Sequence, residues 1–180
     1  MNKILVEKRP NELFDFNVER DYDENYISWN SYYMAVAKLV SCRSKDPVTK
    51  VGACIVKDNR IISTGYNGFP RGIDDDKYPW TKDHEDPTEN KFFYVVHAEL
   101  NAILNAKCDV SDSTLYVTKF PCNECVKAII QSGITKIFYI NEDESYFDEP
   151  KHNIPKRMLE DVGIELIRFR EKNHHIDIEV

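Results

Sequence analysis

Cys122 and Cys125, with Pro121 ahead of them and helix-forming residues behind, restrict this chain more than any other stretch. Three positions apart at the start of a helix, the two thiols share one face. The unsatisfied N–H groups and dipole of a first helical turn favour thiolate over thiol. Pro121 suits such a start, because no intrahelical donor is lost there. His97 heads an earlier apolar-patterned stretch, so the three side chains meet only if two helix N-termini converge. One imidazole and two thiolates form a ligand set for zinc. Three protein ligands leave the fourth tetrahedral position open, as in catalytic rather than structural sites. Glu99, two residues past the histidine, places a carboxylate beside that position, where it can move protons.

Two other readings of the cysteines stay open on spacing alone. A lone C-x-x-C is also the spacing of a thiol redox pair. It is half of a structural zinc site as well, although the chain has no second C-x-x-C. Cys42, Cys54 and Cys108 bring the total to five, an odd number at uneven spacing that argues against a disulfide framework. Cys54, on an apolar run, reads as a core residue.

Periodicity places these residues in an α/β pattern. Residues 1–27 are charged and aromatic without a clear period, an N-terminal arm in which 19–24 reads as a solvated linker. Trp29, Tyr33, Val36, Ala37 and Val40 recur at helical spacing, predicting a helix to about Cys42 with Ser28 as N-cap. Residues 51–56 and 60–66 read as two strands joined by a short antiparallel turn at 57–59. A glycine-containing loop follows at 67–72, where the backbone can approach a ligand closely. Residues 73–93 are polar and long for a plain connection, hence an insertion or lid. Helices at 97–107, 122–132 and 154–162 then alternate with strands at 113–118, 135–140 and 164–169. Such alternation requires a sheet with helices packed on its faces.

Charge narrows the function. The chain of 180 residues carries a net charge of −7, which offers no general attraction to nucleic acid or an anionic membrane. A local basic pocket for one phosphate remains compatible with it. The loop Arg43-Ser44-Lys45-Asp46-Pro47 reads either as a solvated helix exit, with basic residues favoured near a helix C-terminus, or as a phosphate clamp. No secretory leader is apparent and no stretch approaches the roughly 18 apolar residues of a membrane span. A cytoplasmic location is expected.

His-x-Glu followed by Pro-Cys-x-x-Cys is similar to the signature of zinc nucleobase deaminases. The segments RSKDP (43–47), VGACIV (51–56), GYNG (65–68), HAELNAI (97–103), LYVT (115–118), PCNEC (121–125) and QSGITKI (131–137) resemble, more narrowly, the deoxycytidylate (dCMP) deaminases of the cytidine-deaminase superfamily. The resemblance implies a three-layer fold with a mixed five-stranded sheet and helices on both faces, in a single deaminase domain over 28–180. It implies one catalytic zinc per subunit on His97, Cys122 and Cys125, with Glu99 as proton shuttle. Hydrolysis of dCMP to dUMP and ammonia, supplying thymidylate synthesis, is the reaction implied. Asn67 is expected to contact the sugar. Arg43, Ser44, Lys45 and Tyr146 are expected at the phosphate, and Ala98 and Phe120 along the base. Activation by dCTP with Mg²⁺ and inhibition by dTTP are implied near Gly65, Asn67, Gly68 and Arg71, in a homo-oligomer, with a hexamer favoured. A second, structural zinc near Cys42 and His84 is not expected, since a full ligand set is not evident. Three competing readings remain: a deaminase for nucleic acid, free cytosine or a riboflavin precursor; a dCTP-sensing module with structural zinc; and a thiol redox protein.

Overall fold

A computed structural model describes residues 26–82, 84–140 and 150–170. The expected arm at 1–27 therefore lies almost wholly outside the described residues.

Helix α1 (Trp29–Ser41) is capped as its sequence predicts, the Ser28 Oγ accepting the Ser31 N–H at 3.0 Å. Strands β1 (Gly52–Lys57) and β2 (Arg60–Tyr66) form a hairpin. Its two turn residues, Asp58 and Asn59, both have positive φ (51° and 58°), the backbone of a type I′ turn that Asn and Asp tolerate best after Gly. Helix α2 (Ala98–Asn105), strand β3 (Thr114–Val117), helix α3 (Asn123–Gln131), strand β4 (Lys136–Tyr139), helix α4 (Pro150–Asp161) and strand β5 (Glu165–Arg168) follow. The sheet order is β2-β1-β3-β4-β5. β1 runs antiparallel to both neighbours, whereas β3, β4 and β5 are parallel. The mixed five-stranded α/β sheet expected from the sequence is therefore present.

Alternation along the strands divides two cores. Ala53, Ile55, Leu115, Val117, Ile137 and Tyr139 face α2, α3 and α4, where Ala98, Ala102, Val126, Ile129 and Leu159 pack on them. Cys54, Val56, Tyr116 and Phe138 face the other way and are covered by Tyr33, Met34 and Ala37 of α1. Helices thus lie on both faces. Two boundaries differ from the expected ones. α4 begins at Pro150 rather than near Ile154, because proline at the first helical position is favourable, and the helix continues through Pro155. Within the 73–93 insertion, Pro87–Glu89 and Lys91–Phe93 form short 3₁₀ turns, each begun by an Asx side chain (Asp86, Asn90) accepting a backbone N–H two residues on.

The placement of α2 depends on one glycine. A Cβ at Gly65 would lie 2.3 Å from Ala102 N and 2.4 Å from Ala98 O, so only glycine lets the helix backbone approach β2 this closely. Polar side chains fasten the same contact. The Ser63 hydroxyl donates to Ala102 O at 2.6 Å, and Asn101 and Asn105 donate to the β2 edge carbonyls of Tyr66 (2.8 Å) and Thr64 (3.3 Å). Because these last two bonds cover an otherwise open sheet edge, α2 is held by backbone accounting as well as by burial. Gly65→Ala is expected to lower stability by about 3 kcal/mol through forced displacement of α2. In thermal unfolding this is a fall of roughly 6–12 °C for a chain of this size.

Candidate active site

The three candidate ligands converge because they sit at two helix starts. His97 is the N-cap of α2 and Cys122 the N-cap of α3; neither side chain caps its own helix. A serine or aspartate in either position would fold back onto its own first turn. The imidazole and thiol instead turn toward each other across the α2–α3 contact. His97 Nδ1 lies 3.4 Å from Cys122 Sγ and 3.3 Å from Cys125 Sγ. All three donor atoms lie within 4.8 Å of one another, and Cys125 is buried in the first turn of α3.

These spacings fit a metal. Zn–S near 2.3 Å and Zn–N near 2.0–2.1 Å at a tetrahedral angle put sulfur and nitrogen about 3.6 Å apart. The electrostatics agree with crowded basic donors. A hydrogen bond from Cys125, with others from the His97 ring and the Cys125 backbone N–H, outweighs burial and lowers the Cys122 thiol to about 4. Its neighbour Cys125 is pushed up, first by sharing its proton with Cys122 and then by burial. The bond to Cys122 also raises His97. A divalent cation replaces protons held in this way.

Glu99, in the first turn of α2, is 4% exposed, and burial raises its carboxyl above the ordinary range. It lines a cavity of about 220 Å³ together with His97, Cys122, Ala98 and Phe120. Asn67 and Asp46 form another part of the wall, and Lys82, Lys91, Phe92 and Lys119 also line the cavity. Phe120 meets Tyr139 edge to face at 5.1 Å, which fixes its ring beneath the pocket.

The structure brings together His97, Glu99, Cys122, Ala98, Phe120 and Asn67 around this cavity, with Cys125 at its metal-ligand end. It does not bring the basic loop with them. Arg43 is exposed; Ser44 is buried, its hydroxyl donating to Asn67 O at 2.8 Å; and Lys45 pairs with Asp75 at 2.5 Å. None of the three is among the lining residues. Tyr146 lies outside the described residues. Gly65 lies under α2, Gly68 pairs with Val96 in an isolated bridge, and Arg71 is exposed. Sequence reasoning missed the buried pair Asp46–Lys91 and the pocket lysines Lys82 and Lys119. Asp46 stood inside a motif already quoted. The signal for Lys91 is its place beside Phe92 and Phe93 at the end of the insertion.

Residues 27–141 match the family model for the cytidine and deoxycytidylate deaminase zinc-binding region. The chain belongs to this family. A probable deoxycytidylate deaminase of Drosophila melanogaster is 48% identical over 163 residues, covering 87% of this chain and 79% of that protein. The deoxycytidylate deaminase of Homo sapiens is 42% identical over 158 residues, covering 87% and 88%. Among solved structures, the dCMP deaminase of cyanophage S-TIM5 in complex with dCMP and dUMP is similar at a TM-score of 0.62 and 30% identity, covering 80% of this chain and all of that one. No helix among the described residues is long and apolar enough to cross a membrane.

Removing one donor from a three-ligand set should abolish tight metal binding. Cys125→Ala is expected to reduce zinc from about one ion per chain to a small fraction of that, with the fold retained. Metal analysis of dialysed protein, with circular dichroism for the fold, measures both.

Proposed function

We propose that the protein is a zinc-dependent dCMP deaminase that converts dCMP and water to dUMP and ammonia. The observation that carries this reading is the buried Glu99 carboxyl beside His97, Cys122 and Cys125 at one cavity. The similarity to deoxycytidylate deaminases over most of the chain supports the choice of substrate. A zinc ion held by these three residues supplies Lewis acidity that makes water nucleophilic near neutral pH.

The chain's own residues then handle protons and orientation. Glu99, held in a low-dielectric environment, takes a proton from the attacking water and delivers it to the ring nitrogen of the base. It then takes the proton of the newly added hydroxyl and passes it to the amino group, so that the ring carbonyl forms as the C–N bond breaks and ammonia leaves. Burial raises its carboxyl above the ordinary range, the direction that favours holding the proton between the two transfers. Ala98 and Phe120 line the base, and Asn67 meets the sugar.

Arg43, Ser44, Lys45 and Tyr146 are proposed for the phosphate. With Lys45 engaged by Asp75 in this structure, its participation requires that surface pair to open. Such an exposed pair is weak and opens readily. Activation by dCTP with Mg²⁺ and inhibition by dTTP at Gly65, Asn67, Gly68 and Arg71 belong to the same proposal. So do a homo-oligomer, with a hexamer favoured, a cytoplasmic location and a role in supplying dUMP for thymidylate synthesis.

Ammonia release from dCMP, compared with deoxycytidine, tests the reading. Turnover of dCMP is expected, with kcat/KM for the nucleoside lower by at least about 10²-fold, since a site built for phosphate leaves polar groups unpaired without it. Equal use of both, or no turnover of dCMP, contradicts it. Glu99→Gln keeps the shape and zinc but removes the proton carrier, and is expected to slow dCMP turnover by ~10²–10⁴-fold. Steady-state kinetics beside zinc analysis distinguishes this loss from loss of metal.

A further inference from the structure

Lys91 is the buried lysine among the described residues, 3% exposed, and its ammonium donates to Asp46 Oδ2 at 2.5 Å. Asp46 is 1% exposed and belongs to the loop after α1, whereas Lys91 comes from the insertion. The pair therefore joins two separate segments at the wall of the cavity, which both residues line. A buried ion pair in a pocket wall is costly to desolvate and has to be supported by further hydrogen bonds. Asp46 has them. Its Oδ1 accepts the N–H groups of Val48 (2.9 Å) and Thr49 (3.0 Å), and its Oδ2 also accepts from Asn67 Nδ2 at 3.3 Å.

The bonds of Asn67 decide what it can offer a ligand. Its second Nδ2 hydrogen goes to Thr49 O at 2.9 Å, and its Oδ1 accepts the Val51 N–H at 2.8 Å. A carboxamide has two donor hydrogens and two acceptor lone pairs. Both donors and one lone pair are therefore engaged within the protein. Reversing the amide would set its NH₂ against the Val51 N–H and its oxygen against Thr49 O and the Asp46 carboxylate. The orientation is fixed, and the capacity left to the cavity is one acceptor lone pair on Oδ1. Such a group receives a hydrogen bond from a ligand hydroxyl and cannot give one.

We propose that Lys91 is a positioning residue of this site, acting through Asp46 to hold Asn67 as an acceptor for the 3′-hydroxyl of the deoxyribose. The inference rests on the reading of the cavity as a dCMP site, and it makes a residue of the insertion part of sugar recognition. Without the ammonium, Asp46 is an uncompensated buried carboxylate, and the loop it organises loses its fixed relation to Asn67.

The test compares dCMP with 2′,3′-dideoxycytidine monophosphate as substrates for the wild type, Lys91→Met and Lys91→Gln. The wild type is expected to favour dCMP by about 10-fold or more in kcat/KM, the value of one buried hydrogen bond. Lys91→Met is expected to lose most of that preference through a raised KM for dCMP, with kcat within about threefold and zinc content unchanged. Lys91→Gln, which still offers Asp46 a donor, should fall between the two, and it carries the comparison if the methionine variant does not fold. A preference equal to that of the wild type in the variant overturns the proposal. Hydrogen exchange in the same proteins reads the clamp without reference to substrate. Faster exchange at residues 46–51 in the variants supports it, and unchanged exchange overturns it. A wild type inactive on dCMP would instead sink the substrate reading, leaving exchange to decide the role of Lys91.

Discussion

The meeting of two helix N-termini is the constraint on which the rest of the structure depends. His97 and Cys122 both occupy the N-cap position without capping their own helices, which frees the imidazole and the thiol for one another. This arrangement requires α2 and α3 to lie side by side on one face of the sheet. The sheet supplies the fixed distance. α2 is pressed against β2 over Gly65, while α3 follows β3 after the short segment Thr118-Lys119-Phe120-Pro121. β1, hydrogen-bonded to both β2 and β3, ties the two placements together. A shift of either helix by one ångström would separate donor atoms that now stand 3.3–3.4 Å apart.

Burial gives the same geometry its chemistry. Glu99 sits in the first turn of α2 and lines the cavity whose boundary includes two of the candidate ligands, and its burial there raises its proton affinity. The far wall is organised differently. There the insertion reaches back through Lys91 to Asp46, and Asp46 in turn orders the loop that Asn67 holds. The insertion is thus part of the cavity wall. Its aromatic residues support this placement: Phe69 packs on Trp80 at 4.3 Å and Tyr78 on Tyr94 at 5.1 Å, tying it to the loop after β2 and to the approach to α2.

Much of this was legible in the sequence, and the part that was not has a physical reason. The apolar run at 51–56, Leu115 and Val117 within 113–118 and the 3.6 period in 29–42 mark buried elements, and both cores are built from them. His97, Glu99, Cys122 and Cys125 were found because few other chemistries need those residue types in that order. Asn67 was placed at the sugar by resemblance, but spacing could not reveal that its donors are already consumed by Asp46 and Thr49. Lys91 was missed because lysine is ordinarily exposed; its burial depends on a partner 45 residues away, a contact no local pattern encodes. The start of α4 was set too late, since Pro150 can open a helix as readily as end a preceding segment.

The central claim, that two helix starts hold one ion with one position left open, is tested most directly by zinc K-edge X-ray absorption of the purified protein. The expected spectrum has two sulfur neighbours near ~2.3 Å and two lighter atoms near ~2.0–2.1 Å, one of them an imidazole nitrogen. Four sulfur neighbours, or a shell of oxygen atoms with no sulfur, would contradict the account.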